Sequence, residues 1–98
     1  MNEAIQTLVV RKGLLEEGLT TTDRYVKTLR ELTDVIQGVH HENLMGDRDL
    51  RKVSGTALRS NIAETKESEE RLAKMKVELR RVDLLLKDEH ERELREGQ

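Results

Sequence analysis

The amino-acid sequence predicts an all-α fold. We expect an elongated three-helix bundle, one domain over residues 1–98, with a long first helix, an antiparallel second helix and a long third helix. The chain has no proline to interrupt a helix. Only 1% of its residues are aromatic, and turn signals are few, which disfavours a β-rich domain. Apolar residues recur every three or four positions, which is the spacing of one helix face.

The first helix is predicted over residues 2–39. Its apolar residues keep their phase through Gly18, where a helix could otherwise end, so we favour one continuous helix. A second row of apolar residues widens the first, and this width is typical of a helix that packs against two partners. The first row is Ile5, Leu8, Leu15, Leu19, Val26, Leu29 and Ile36, interrupted by Lys12, Thr22 and Thr33, and the second row is Leu14, Tyr25, Leu32 and Val39.

A turn is predicted over residues 38–49, where Gly38 and Gly46 interrupt the pattern and Asp47 or Asp49 is suited to cap the next helix. The second helix is then expected over residues 49–64. Its apolar face consists of Leu50, Val53, Ala57, Leu58 and Ile62.

The third helix is predicted over residues 66–96. Apolar residues are absent over residues 64–71, and Thr65 and Ser68, each followed by acidic residues, are typical of a helix start. The same stretch could instead be a polar section of one long helix. Beyond it the apolar spacing resumes with Leu72, Met75, Leu79, Val82 and Leu86.

The shared spacing predicts which apolar side chains face inward, since their burial is the main favourable term available to this chain. The predicted inward residues are Leu8, Leu15, Val26, Leu29, Ile36, Leu58, Ile62, Leu72, Met75, Leu79 and Val82.

Composition and motifs argue against several classes of function. The chain has no cysteine and a formal charge of −2, and neither half has the basic excess typical of nucleic-acid binding. His41-Glu42 and His90-Glu91 each begin a zinc-protease motif that lacks its second histidine. We therefore expect no catalytic residues, no metal, no cofactor and no nucleic-acid or membrane partner. A non-enzymatic, cytoplasmic helical protein is the prediction.

Three segments resemble the tubulin-binding cofactor A family. The run from Thr7 to Glu16 is similar to part of the family's first helix, and Asp49-Leu50-Arg51-Lys52 is similar to the start of its second. Leu72, then Val77-Glu78-Leu79 with Arg81 and Val82, is similar to a motif of its third helix. The family often has a proline where its third helix begins, near Thr65 here, and this chain has none.

The resemblance implies a tubulin-folding cofactor: a non-catalytic chaperone that captures β-tubulin folding intermediates, works without cofactors and associates with the cytoskeleton in the cytoplasm. A monomer or a homodimer is compatible with it. It also implies that the matched charged residues contact the partner, namely Arg11, Lys12, Glu16, Arg51, Lys52, Glu78 and Arg81.

The alternative prediction is a coiled-coil scaffold or assembly subunit of a multiprotein complex. Polar residues such as Thr22, Thr33 and Asn61 near core positions disfavour a continuous two-stranded coil and favour a self-contained bundle. A small enzyme is the third hypothesis.

Overall fold

Two α-helices account for nearly all of residues 2–97, the part of the chain that the computed structural model describes. Helix α1 spans Glu3–Glu42 and helix α2 spans Arg48–Glu96, and no strand occurs in this range. The all-α prediction is therefore confirmed, whereas the division into three helices is wrong.

Each helix begins at a polar side chain that accepts backbone N–H groups. The Asn2 Oδ1 accepts the Ala4 N–H at 2.8 Å. The Asp47 Oδ1 accepts the N–H of Asp49 at 2.8 Å and that of Leu50 at 3.3 Å. Asp47 is thus the cap of α2, one of the two residues that the sequence offered, and it satisfies donors that the first turn of a helix leaves unpaired.

The turn is shorter than predicted, because α1 continues through Gly38 to Glu42. None of the described glycines has a positive φ, so Gly38 does not end the helix. The chain reverses over residues 43–47, where the Gly46 N–H donates to the Asn43 carbonyl at 3.2 Å. The Arg51 guanidinium also donates to the Leu44 carbonyl at 3.0 Å, which ties the turn to α2.

The chain divides into two compact units. The terminal unit comprises Met1–Thr21 and Leu72–Gln98, and the turn unit comprises Thr22–Arg71. In each unit a segment of α1 packs antiparallel to a segment of α2, because contacts pair higher residue numbers in α1 with lower numbers in α2. In the terminal unit, for example, Asn2 reaches Glu89 while Gly18 lies beside Met75.

The core of the terminal unit is small and wholly apolar. Ile5, Val82 and Leu86 are buried in one cluster, against which Leu8 and Leu15 pack. Ile5 and Leu86 lie on the predicted apolar rows but outside the predicted inward set. Val82 has no exposed surface, in agreement with the sequence prediction.

The core of the turn unit mixes apolar and polar side chains. Val26 and Leu29 are buried as predicted, and Asn61 is buried beside them. The Asn61 Nδ2 donates to the Leu29 carbonyl at 2.9 Å and to the Thr33 Oγ1 at 2.6 Å. These bonds satisfy a buried amide that would otherwise destabilise the unit.

The predicted break near residues 64–66 does not occur, because α2 runs through it without interruption. The Thr65 hydroxyl donates to the Asn61 carbonyl one turn earlier, at 2.7 Å, instead of capping a new helix. The Ser68 hydroxyl is buried and accepts a hydrogen bond from Arg71 at 3.1 Å. Residues 64–71 are therefore a helical section whose contacts are polar. The spacing of apolar residues cannot reveal such a section.

Ile62 was wrongly predicted to face inward, and its side chain is 52% exposed. Adjacent helical residues point about 100° apart, so Ile62 is turned away where Asn61 faces α1. The remaining predicted inward residues are half-buried: Leu8, Leu15, Ile36, Leu58, Leu72, Met75 and Leu79.

The second apolar row of α1 also differs from its prediction. Its members, Leu14, Tyr25, Leu32 and Val39, are all exposed. With two helices in place of three, α1 has one helical neighbour in each unit rather than the two that the wide apolar stripe predicted.

Candidate protein-binding surface

Five of the seven predicted partner-binding residues lie together in the terminal unit. Arg11 on α1 pairs with Glu78 on α2, and Arg81 approaches the same carboxylate at 3.8 Å. The Lys12 Nζ lies 2.9 Å from the Asp83 Oδ1 and 3.9 Å from the Glu16 Oε1. Two ion pairs therefore join the helices in this unit, and they involve three of the matched residues, Arg11, Lys12 and Glu78.

The Lys12 contact perturbs the titration of its ammonium group. The hydrogen bond to Asp83, followed by the attraction of that carboxylate's charge, raises the pKa of Lys12 above its ordinary value. The side chain is 40% exposed, so solvent screens the ion pair. Lys12 lies on the first apolar row, and this ion pair explains how that row accommodates a charge.

The ion pairs leave a basic face on the α2 segment of the terminal unit. Residues 74–87 contain five basic and two acidic residues, and the two acids are Glu78 and Asp83, which pair with α1. Exposed basic and apolar side chains alternate here at three- and four-residue spacing, so they share one side of the helix. This basic face consists of Lys74, Val77, Arg80, Arg81, Leu84 and Lys87.

The basic face carries two large apolar side chains in a charged setting. Val77 is 57% exposed and Leu84 is 64% exposed, and seven residues separate them. An apolar centre with a charged rim is typical of protein-binding surfaces. Of this set, only Arg81 is among the residues predicted from the sequence to contact a partner, although the spacing of Val77 and Leu84 among basic residues was a usable signal.

Arg51 and Lys52, the other two predicted residues, lie at the start of α2 in the turn unit. The Arg51 guanidinium donates a hydrogen bond to the Leu44 carbonyl, so the Arg51 side chain has a structural role in the turn. Lys52 is exposed and borders a shallow groove with Val53, Thr56 and Ala57.

A second surface of the turn unit is apolar. A groove of about 240 Å³ lies between the end of α1 and the start of α2. We call it the apolar groove. Its apolar lining residues are Val35, Ile36, Val39, Leu50, Val53 and Ala57, and its polar ones are Asn43 and Ser54.

A serine and a histidine meet beside this groove. The His40 Nδ1 lies 2.7 Å from the Ser54 Oγ, whose hydroxyl donates to the Arg51 carbonyl at 3.1 Å. This contact joins α1 to α2 within the turn unit, and the tautomer of His40 decides which of the two groups donates the hydrogen.

The same part of the turn unit explains the position of Gly55. A Cβ atom at Gly55 would lie 3.3 Å from the His40 Cε1, closer than ordinary packing allows. Glycine permits the His40 ring to approach α2.

The only tyrosine of the chain reports on a polar contact between the helices. The Tyr25 hydroxyl donates to the Glu64 carboxylate at 3.1 Å, and Arg71 lies 3.7 Å from the same carboxylate. This hydrogen bond, with partial desolvation and the charge of Glu64, raises the pKa of the phenol above its ordinary value, while Arg71 opposes the rise.

We expect Glu64→Ala to lower the pKa of Tyr25 toward about 10, the ordinary value for a phenol. Ultraviolet absorbance of the phenolate measures this without interference, because the chain has no tryptophan and no second tyrosine. The raised folded-state pKa contributes stability below the unfolded pKa, and this contribution is lost as pH rises through the folded value. Glu67→Ala, at an exposed position three residues away, is the control; an unchanged midpoint in Glu64→Ala would contradict the assignment.

Across residues 2–97, no three His, Asp or Glu side chains come together in an arrangement that could hold a metal ion. Within the same range, neither helix contains an apolar stretch long enough to cross a bilayer. Comparisons with protein-family models, with curated proteins and with solved structures find no match for this chain.

Proposed function

We propose that this chain is a non-catalytic protein-binding module whose basic face captures an acidic partner protein. The observation that carries the proposal is the exposed set of Lys74, Val77, Arg81 and Leu84 on one side of α2. The apolar side chains offer area to bury, and the surrounding cations select a partner of opposite charge.

β-Tubulin is the partner that we propose. The three segments similar to the tubulin-binding cofactor A family support this choice, and Arg81 belongs both to the third segment and to the basic face. Tubulin is an acidic protein, which suits a basic surface. A cytoplasmic cofactor that holds β-tubulin folding intermediates, associated with the cytoskeleton, is the resulting hypothesis.

The charged residues of the first two segments play a different part in this proposal. Arg11 and Lys12 form ion pairs with Glu78 and Asp83, the only two acids among residues 74–87. These pairs offset the charge of the two acids, so the cations of the basic face remain in excess even though Arg81 also lies 3.8 Å from Glu78. Arg51 supports the turn. Of the seven matched residues, Arg81 is therefore the one that we assign to direct contact.

The test is capture of purified α- and β-tubulin by the immobilised chain. We expect the wild type to retain β-tubulin in preference to α-tubulin. Replacing Lys74, Arg80, Arg81 and Lys87 with Gln should weaken binding at least tenfold, because a combined loss of rim charges removes the attraction that single changes only reduce. Binding should also become less sensitive to salt.

A charge-matched variant provides the control. Gln at Arg24, Lys27, Arg59 and Lys66 removes the same charge from exposed positions of the turn unit and should leave capture unchanged. Circular dichroism verifies that both variants remain helical. If the wild type captures neither tubulin, the β-tubulin proposal is wrong. If both variants lose binding equally, net charge and not the basic face is responsible.

A scaffold or assembly subunit is the second candidate function. The apolar groove favours it, because a groove between two helices suits a further helix. A chain that binds no tubulin but forms a stable helical oligomer would fit this function.

A further inference from the structure

The basic face lies on the side of α2 that α1 does not cover. Adjacent helical residues point about 100° apart, so Val77 is turned about 140° away from Val82. Leu84 is likewise turned about 160° away from Leu86. Val82 and Leu86 are buried in one cluster with Ile5 of α1, whereas Val77 and Leu84 are exposed. A partner can therefore reach the basic face while α1 stays in place.

The residues of the basic face form three parallel rows. The two members of each row are seven positions apart in the sequence, so they lie almost above one another, with a drift of about 20° around the helix. The central row is apolar, and a row of cations lies on each side of it. The central row is Val77 and Leu84, and the flanking rows are Lys74 with Arg81 and Arg80 with Lys87.

The contact between α1 and α2 in the terminal unit has the same arrangement. Met75 and Val82 are also seven residues apart, and they lie beside Gly18 and Ile5 of α1 respectively. An ion pair flanks this apolar contact on each side, Arg11 with Glu78 and Lys12 with Asp83. The side of α2 that packs on a helix in this unit is thus an apolar row with charged flanks, and the basic face repeats that pattern on the opposite side.

The cations of the basic face lack the carboxylates that complete such a contact. Among residues 2–97, Lys74, Arg80 and Lys87 form no ion pair. Arg81 approaches Glu78 at 3.8 Å, and that carboxylate also pairs with Arg11. Charges in the flanking positions of paired helices set the choice of partner. The two cation rows therefore select a helix that carries acidic side chains on both flanks.

We propose that the element of the partner that binds the basic face is an amphipathic α-helix with an apolar row between two acidic rows. It packs along α2 on the side opposite α1, with its apolar side chains against Val77 and Leu84 and its carboxylates against the cation rows. Residues 74–87 span about 20 Å, so the matching segment is about fourteen residues long. This inference rests on the function proposed for the basic face and specifies the structure that the face recognises.

Fluorescence anisotropy with three synthetic peptides of equal length tests the proposal. The first peptide has leucine at three- and four-residue spacing with glutamate on both flanks. The second is a scrambled sequence of the same composition, and the third has lysine in place of glutamate. We expect the first peptide to bind the wild type at least tenfold more tightly than the second, because only the first presents its leucines on one side of a helix. The third should not bind, because its charges repel the cation rows.

Two matched variants of the chain locate the peptide on the basic face. Val77→Ser with Leu84→Ser removes the central row and keeps every cation, so it should bind the first peptide at least tenfold more weakly than the wild type. Val10→Ser with Leu14→Ser makes the same chemical changes on α1, at side chains that are 63% and 65% exposed, and should leave binding unchanged. Circular dichroism verifies that both variants remain helical.

The outcomes separate this proposal from the function on which it rests. If the scrambled peptide binds as tightly as the first, the face recognises a flexible acidic segment and the helical partner is wrong, even where the chain captures β-tubulin. If Val77→Ser with Leu84→Ser leaves binding of the first peptide intact, or if both variants lose it equally, the proposal is also overturned. If the first peptide binds the basic face as expected while no tubulin is captured, the helical partner is supported and only its identification as tubulin is wrong.

Discussion

Thr65→Pro is expected to destabilise the protein by about 3 kcal/mol or more and to reduce its helicity. Thr65 lies in the interior of α2, which is continuous from Arg48 to Glu96. Proline removes the backbone N–H that bonds one turn back, and its ring clashes with the carbonyl of Asn61. Thermal unfolding followed by circular dichroism measures the effect.

This substitution also decides between one helix and two. Proline is favoured in the first turn of a helix, and the family that the sequence resembles often has it where its third helix begins. If a helix began near Thr65, proline there would be tolerated. Thr65→Ala, the control, removes the hydroxyl bond but keeps the backbone bond, and should shift stability by less than about 1 kcal/mol. Equal melting temperatures for the two variants would show that α2 is interrupted.

Leu29→Ala is expected to cost about 2–5 kcal/mol of unfolding free energy. Leu29 is 6% exposed, and only five apolar side chains are buried among the described residues, so the turn unit has little to compensate for a cavity. For a domain whose total stability is about 5–15 kcal/mol, such a loss is severe. Chemical denaturation at fixed temperature measures the change.

Leu32→Ala provides the matched comparison, since it makes the same chemical change one turn further along α1. Leu32 is 46% exposed, and we expect its substitution to stay within about ±0.5 kcal/mol. Leu79→Ala should fall between the two because Leu79 is half-buried. If Leu29→Ala and Leu32→Ala were equally costly, the assigned core would be wrong.

The basic face and the apolar groove have different chemistry and lie in different units of the chain. The basic face needs the ion pairs of Arg11 and Lys12, because these occupy the acids that would otherwise neutralise it. The groove depends on Val35 and Val53, which are 62% and 67% exposed. Mutations in one surface can therefore be tested without altering the other.

Sequence reasoning was most reliable where apolar spacing was regular. It placed Val26, Leu29 and Val82 inside, and it offered Asp47 as a helix cap. It failed over residues 61–71, where polar groups replace apolar ones in the contact between the helices. There the amide of Asn61 is satisfied by a carbonyl and a hydroxyl of α1, and spacing alone cannot tell such a contact from a solvent-exposed turn.

The candidate surfaces were also predicted only in part from the sequence. Residue identity indicated Arg81 and the exposed charges, because like side chains at helical spacing share a side of a helix. It did not indicate that Glu78 and Asp83 are paired with α1, since these contacts join residues more than sixty positions apart. The contact of His40 with Ser54 was likewise absent from any local motif.

The sequence by itself determined that this protein is helical and where its turn and its main apolar residues lie, because helix propensity, capping and three- and four-residue spacing are local properties. Only the tertiary structure decided that α2 is one helix, that Asn61 rather than Ile62 faces α1, and which charges stay unpaired. The physical reason is that a polar side chain can be buried only where it finds hydrogen-bond partners, and for Asn61 those partners lie on α1, far away in the sequence.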